Sequence, residues 1–234
     1  MGRKLAQYPE DFFSRDDSVI FDEFDWFVTA HRWTSAVAGT GTVTKADGGT
    51  NIRLFSTADN DAAVLATTTE CFKFTAGKSM CAEAQVTFTD PNTDDASVGF
   101  GWADALAATT LADTTGAVAA TDACLIFKVN GSNVWGFHTE INGVAQTSVS
   151  DTPAGGGLNQ TLRIEVQPRG QGSSVLEATP LVNGVPLKTA AGAPIVHTIT
   201  LGTATDMDFG WILKGHHADD CILLSDYVFA RQVR

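Results

Sequence analysis

The densest group of proton- and metal-handling side chains in the sequence is Gly215-His216-His217-Ala218-Asp219-Asp220, with two adjacent imidazoles and two carboxylates. Such donors suit zinc and other transition metals. On an extended chain, neighbouring side chains point to opposite faces, so His216 and His217 reach one ion only across a special turn. The plainer reading is a solvated turn between strands, and no metal or cofactor is expected. His31, His138 and His197 stand alone and read as surface residues of strands.

Other chemistries are poorly supplied. Retaining glycoside hydrolysis needs two carboxylates about 5 Å apart, commonly from alternate positions of one strand. Here Glu140 in FHTEING stands alone and Glu165 in EVQP has no acidic partner two residues on. The oxygen-rich stretches TDPNTDDA (89–96) and TADNDAA (57–63) would suit calcium, but they lack EF-hand spacing and consist of the commonest turn formers. No G-x-S-x-G elbow and no phosphate-binding glycine loop opening a helix is seen. The sequence therefore predicts a non-enzyme.

Of the five tryptophans, Trp102, Trp135 and Trp211 lie within strand patterns and read as core. Trp26 and Trp33 read as contacts with a partner. So do Phe12, Phe13, Phe21 and Phe24, which are interleaved with acids in EDFFSRDDSVIFDEFDWF without holding one helical stripe. An arm lying across the domain or onto a neighbour would bury such rings while leaving the acids wet. A first edge strand with a frayed terminus is the alternative. The expected division is an arm over 1–28 and one domain over 29–234.

What must position these residues is a β-rich body. Apolar residues make up 44% and charged residues 18% of the 234 positions, with abundant Thr, Ala and Gly. From His31 onward, short alternating runs separated by turn residues predict strands at 41–46, 51–57, 62–68, 80–89, 96–104, 122–131, 134–141, 145–150, 161–168, 195–201, 207–215 and 220–233. Asn-Gly pairs at 130–131, 142–143 and 183–184 mark hairpin apices. In MCAEAQVTFT, Cys81, Ala84, Val86 and Phe88 keep a period of two only in part. Residues 104–122, rich in Ala and Thr, read as a long surface loop. Crossover helices are lacking, so an antiparallel β-sandwich is expected.

The formal charge of −12 and pI near 4.6 oppose binding to phosphate backbones, so no nucleic-acid partner is expected. No run of about 18 apolar residues suggests a membrane span, and the start MGRKLAQYPEDFF lacks the apolar region of a signal peptide. Synthesis in a cytoplasm follows as the expectation. Cys71, Cys81, Cys124 and Cys221 form no C-x-x-C pair and read as reduced thiols.

In order along the chain, MCAEAQVTFTD, SVGFGWAD, CLIFKVNGSNVWGFHTEINGV, QTLRIEVQP, ATPLVNGVPL and LLSDYVFARQ resemble the concanavalin-like or laminin-G-like jelly roll of many phage and bacterial proteins. The opening, with FDEFDWFVTA, then NIRLFST and DNDAAVLATTTECFKFTAGK, resembles a group of phage structural proteins. That resemblance covers most of 17–234. It implies a capsid decoration or cement protein of a bacteriophage, displayed on the virion surface after synthesis in the host cytoplasm. Its implied partners are the major capsid protein and other copies of itself, most simply as a trimer. The alternative is a lectin-like carbohydrate-binding module displayed on the virion to hold surface glycans.

Overall fold

The computed structural model describes residues 17–25, 27, 31–46, 51–90, 96–113, 115–120, 122–203, 205–218 and 220–233. Their strands, in chain order, are β1 (Ser18–Asp22), β2 (Trp33–Ala38), β3 (Thr42–Lys45), β4 (Ile52–Ser56), β5 (Ala62–Thr67), β6 (Met80–Thr89), β7 (Ala96–Ala103), β8 (Ala123–Lys128), β9 (Val134–Ile141), β10 (Val144–Pro153), β11 (Asn159–Pro168), β12 (Val175–Val182), β13 (Val185–Pro186), β14 (His197–Thr200), β15 (Asp208–Gly215) and β16 (Cys221–Gln232). No α-helix occurs among the described residues.

The strands form two antiparallel sheets. One has nine strands in the order β13-β12-β11-β6-β16-β4-β3, with β1 added beside β16 and β14 beside β12. The other has seven in the order β10-β9-β8-β7-β15-β5-β2. Two-residue Asn-Gly turns close β9 onto β10 and β12 onto β13; Asn142, Gly143, Asn183 and Gly184 all take positive φ, as a primed turn requires.

The core lies between the sheets. Met80, Ala82, Ala84, Val86 and Phe88 of β6 all face it, giving a full period of two in which small alanines hold core positions and Cys81 points the other way. In β16, Cys221, Leu223 and Ser225 face inward, and so do Val228, Ala230 and Gln232. A bulge between Ser225 and Tyr227 supplies the extra residue that keeps both halves in register with the core. Across the gap, Phe100, Trp102, Phe209 and Trp211 form an aromatic cluster; Phe100 and Trp211 lie 4.2 Å apart between ring centroids.

Residues 18–22 take the second of the two forms expected for the opening, an edge strand, paired with β16 from Ser18 opposite Gln232 to Asp22 opposite Val228. Trp33 begins β2, a strand with a single large apolar residue pointing inward and therefore little periodic signal.

Of residues 104–122, expected as a surface loop, the described ones (all but 114 and 121) are irregular and pack over the outer face of the seven-stranded sheet. Leu106, Leu111 and Ala120 join Val64, Ala66, Ala103, Ala123, Leu125 and Ile212 in a second apolar cluster. Short backbone ties hold the segment in shape, including Ala112 N–H to Ala117 O at 2.9 Å and Ala119 N–H to Thr110 O at 2.8 Å. Small Ala and Thr side chains let it lie flat against strands, so the composition that suggested a loop suits a cover equally well.

Candidate docking surface

The outward positions of the nine-stranded sheet form rows running across the strands. Register aligns Phe21 of β1, Phe229 of β16, Glu83 of β6, Arg163 of β11 and Leu181 of β12 in one row. The next row carries Val19, Arg231, Cys81, Glu165 and Thr179. Beyond the bulge, Phe55 and Ile222 pair, as do Arg53 and Leu224. Val19 and Phe21 are exposed at 39% and 37%, and the other apolar members are half-buried.

Ion pairs pin this face. Arg163 bridges Glu83 at 3.1 Å and Glu165 at 2.7 Å, while Tyr227 donates its hydroxyl to the other oxygen of Glu83 at 2.6 Å. Arg231 grips Asp17 at 2.7 Å, fastening the residue just before β1. The Arg53 guanidinium lies 4.3 Å over the Phe55 ring. Burial pushes the Cys81 thiol up to about 11, so it stays protonated and chemically quiet within the row. Aromatic rings and held guanidinium groups are the residue types that dominate protein interfaces, because they offer large area at little ordering cost.

Of the partner contacts expected from sequence, Phe21 lies on this face. Phe12, Phe13 and Trp26 fall outside the described residues. Phe24 and Trp33 are corrected: both are buried in the chain's own core, 5.8 Å apart between ring centroids. Asp22 explains their placement. One of its oxygens accepts Phe24 N–H at 2.8 Å and the other accepts Trp33 Nε1–H at 2.7 Å. That grip holds Phe24 at φ 55°, a costly conformation for a bulky residue, and turns its ring inward. Nothing in the local pattern signals this reversal, since the acid two residues earlier looks like any surface acid.

The candidate chemical groups are dispersed. Glu140 lies on the seven-stranded sheet, 3.6 Å from His138 Nε2, and Glu165 lies on the other sheet against Arg163. Sequence reasoning missed that His138 and His197 are buried. His197 is held between Thr139 and Ser148 hydroxyls, each 3.0 Å away. In the turn after β15 the two histidines part: His217 is exposed, while His216 is buried with Nε2 2.8 Å from Ser97 Oγ. Asp61 and Asp90, from the two calcium-like stretches, accept backbone N–H groups of Thr40 and Ala96 at 2.9 and 2.8 Å. Among the described residues no three His, Cys, Asp or Glu side chains gather as a metal site.

A shallow depression of about 490 Å³ lies beside the cover segment, lined by Thr34, Thr67, Thr68, Thr69, Glu70, Leu106 and Asp208. Burial, with Glu70 adding to it, raises the Asp208 carboxyl above its ordinary range. Trp33, Trp102, Trp135 and Trp211 are at most 2% exposed, so none of the described tryptophans offers a ring for stacking.

No family model matches the chain, and no curated protein matches it in sequence. Solved structures do match in fold. The carbohydrate recognition domain of Emp47p is similar with a TM-score of 0.62 at 10% identity, covering 95% of this chain and 98% of that one. An endo-1,3-β-glucanase from Streptomyces sioyaensis gives 0.56 at 15% identity, covering 98% and 99%. Lectin II from Ulex europaeus gives 0.56 at 10%, covering 94% and 100%. Two apposed antiparallel sheets and these likenesses place the chain among the concanavalin-like, legume-lectin-like jelly-roll folds.

Proposed function

We propose that the chain is a non-enzymatic structural protein of a bacteriophage virion. In this reading it docks on the outer capsid surface, against the major capsid protein, through the outer face of its nine-stranded sheet. Copies of the chain, most simply a trimer, tie neighbouring capsid subunits together. Internal pressure must then separate more buried area before the shell opens.

The observation that carries this reading is the row Phe21, Phe229, Glu83, Arg163 and Leu181, continuous across five strands. It sits on a rigid sheet, and it joins the resemblance of the opening segment to phage structural proteins. A contact burying about 800 Å² per partner suffices for stable binding, and attachment at several points on a lattice multiplies it.

The test is co-sedimentation with assembled capsid shells, followed by heat and low-salt challenge of shells with and without the chain. Binding that falls at least about tenfold in a Phe21→Ser, Phe229→Ser double variant supports the reading, since each lost aromatic anchor is worth roughly 1–2 kcal/mol. Shells that never retain the chain, or that resist heat equally well without it, overturn it.

A second reading is a carbohydrate-binding module. It is favoured by the recognition domain and lectin among the structural neighbours and by the hydroxyl- and carboxylate-lined depression at Thr34, Glu70 and Asp208. A glycan array distinguishes the two: saturable sugar binding lost in Asp208→Asn would favour this second reading.

A further inference from the structure

We propose that the outer edge of β10 is a self-association site, at which two copies of the chain pair antiparallel about a two-fold axis at Thr147 and join their seven-stranded sheets into one. The contact lies away from the nine-stranded sheet, and it links copies pairwise whether or not they are also grouped in threes.

β10 ends its sheet: it pairs with β9, and no strand lies beyond it among the described residues. The two-residue turn at Asn142-Gly143 fixes which backbone groups are left open. Ile141 and Val144 flank that turn as a hydrogen-bonded pair, so the N–H and C=O groups of Val144, Gln146 and Ser148 point to β9. Those of Ala145, Thr147 and Val149 point away from it. The side chains agree, since Thr147 Oγ1 lies 2.8 Å from Nδ1 of His138, its closely spaced cross-strand partner.

Natural sheets block such an edge with charge, proline, a bulge or a short strand. Other edges of this molecule are blocked in those ways. β1 ends on Asp22, β3 has four residues and carries Lys45, and β13 has two and contains Pro186. The Gln146 amide caps β14 by binding both the N–H and the C=O of Thr198. β2 has six residues, whereas β10 has ten. From Val144 to Val149 it carries no charge, no proline and no register shift; the shift and Pro153 come after. Val144 and Val149 are 66% and 56% exposed, and Ala145 and Thr147 are exposed as well.

Charge selects a second copy as the occupant. The chain carries a formal −12, so two copies meet most easily where neither presents carboxylates. No Asp, Glu, Lys or Arg lies between Glu140 and Asp151, nor between Lys188 and Asp206. These two stretches adjoin: Gln146 holds Thr198, and Ser148 Oγ lies 3.0 Å from His197 Nε2. Those bonds close this flank of the sandwich and leave β10 its outer edge to pair.

The strand is also self-complementary. With the axis at Thr147, Thr147 faces its own copy and Ala145 faces Val149 of the other copy, so about six main-chain hydrogen bonds form. Thr147 opposite Thr147 and a small Ala145 opposite Val149 are compatible cross-strand pairs. Because Glu140 pairs with Ala145, the outer row then runs from Glu140 through Ala145 to Val149 of the other copy. A long side chain at position 149 would therefore reach toward Glu140 across the contact.

The experiment is sedimentation equilibrium of the full chain from about 1 to about 100 μM. The expected result is a doubling of mass with concentration, whether the unit that doubles is one copy or three. Ala145→Pro removes an outward N–H without touching the β9 ladder, and Val149→Glu brings a carboxylate toward Glu140 of the other copy; each should raise the doubling concentration at least about tenfold. Val149→Lys meets the same Glu140 with opposite charge and should keep the doubling, as should Val37→Glu on the far edge strand β2. Thermal unfolding shows which variants are folded; if Ala145→Pro is not, Val149→Glu, at an exposed position, carries the test. The proposal is overturned if mass stays constant across the range, or if doubling survives in a folded Ala145→Pro or in Val149→Glu. It is equally overturned if Val149→Lys abolishes doubling as Val149→Glu does, or if mass climbs as an open ladder that Val37→Glu removes. These variants leave the nine-stranded face as it was, so shell binding through Phe21 and Phe229 stands or falls separately.

Discussion

In β4, β6, β11, β12 and β16 buried positions alternate with half-exposed ones, whereas β5, β7 and β8 are buried at each residue and β15 at all but its first. Both sheets face the same core. They differ on their outer sides: one is laced with ion pairs and rings and left open, the other is roofed in part by the segment carrying Leu106, Leu111 and Ala120. An open face must be wettable, so it carries Arg163, Glu83 and Arg231 beside its rings. A roofed face can be apolar, so it carries Ile212, Leu125 and Val64. What each face presents thus follows from whether another segment of the chain lies on it, more than from its place in the fold.

That comparison can be broken first where the sheets meet. Asp90, just past β6, and Lys128 of β8 are both wholly buried, 3.7 Å apart, and each also ties to the Ala96 backbone. Asp90→Ala strands a buried ammonium and should cost about 3–5 kcal/mol in urea unfolding; a cost below about 1 kcal/mol would mean that water reaches the corner.

Next is the roofed face. Ile212→Ala should cost about 2–4 kcal/mol, whereas Phe229→Ala on the open face should cost about 1 kcal/mol because its ring is only half-buried. Equal costs would erase the distinction between the faces.

A smaller effect is expected with acid. Burial, reinforced by His138, pushes His197 down to about 4 from 6.5. The folded state then binds fewer protons there than the unfolded chain, so this contribution is full above about pH 6.5 and is lost as the pH falls toward 4. His197→Asn should flatten the slope of stability between those values. The smallest effect belongs to Arg163→Ala, expected to change stability by no more than about 1 kcal/mol since the pair is partly exposed, yet to weaken docking of the open face.

The alternating sheet was the legible one. Apolar residues at every second position of 161–168 place β11 within two residues, and the Asn183-Gly184 turn marks the end of β12; in the other sheet Asn142-Gly143 marks the apex between β9, expected at its observed bounds, and β10, expected three residues short at its far end. The continuous runs of the roofed sheet were legible as strands too, but not as strands covered on both sides. That depends on a segment whose small residues carry no period. The site was harder to read. Phe21 could be placed on a surface from its alternation with acids, but Phe24 and Trp33 could not be placed inside, because their burial depends on one carboxylate, Asp22, gripping both. His216 and Ser97 lie 119 residues apart, and no local pattern joins them.

The order of the strands has a consequence for how the molecule is made. β15 is the bridge between β5 and β7, and β16 is the bridge between β4 and β6; both come after all four strands that they join. Until residues 208–232 leave the ribosome, each sheet exists as two separate halves whose facing edges have unpaired backbone groups. Closure of each sheet therefore waits for its bridging strand, and a nascent chain stalled before Asp208 should be sticky and rich in half-built sheet, a liability shared by any protein whose keystone strands follow the ones they join.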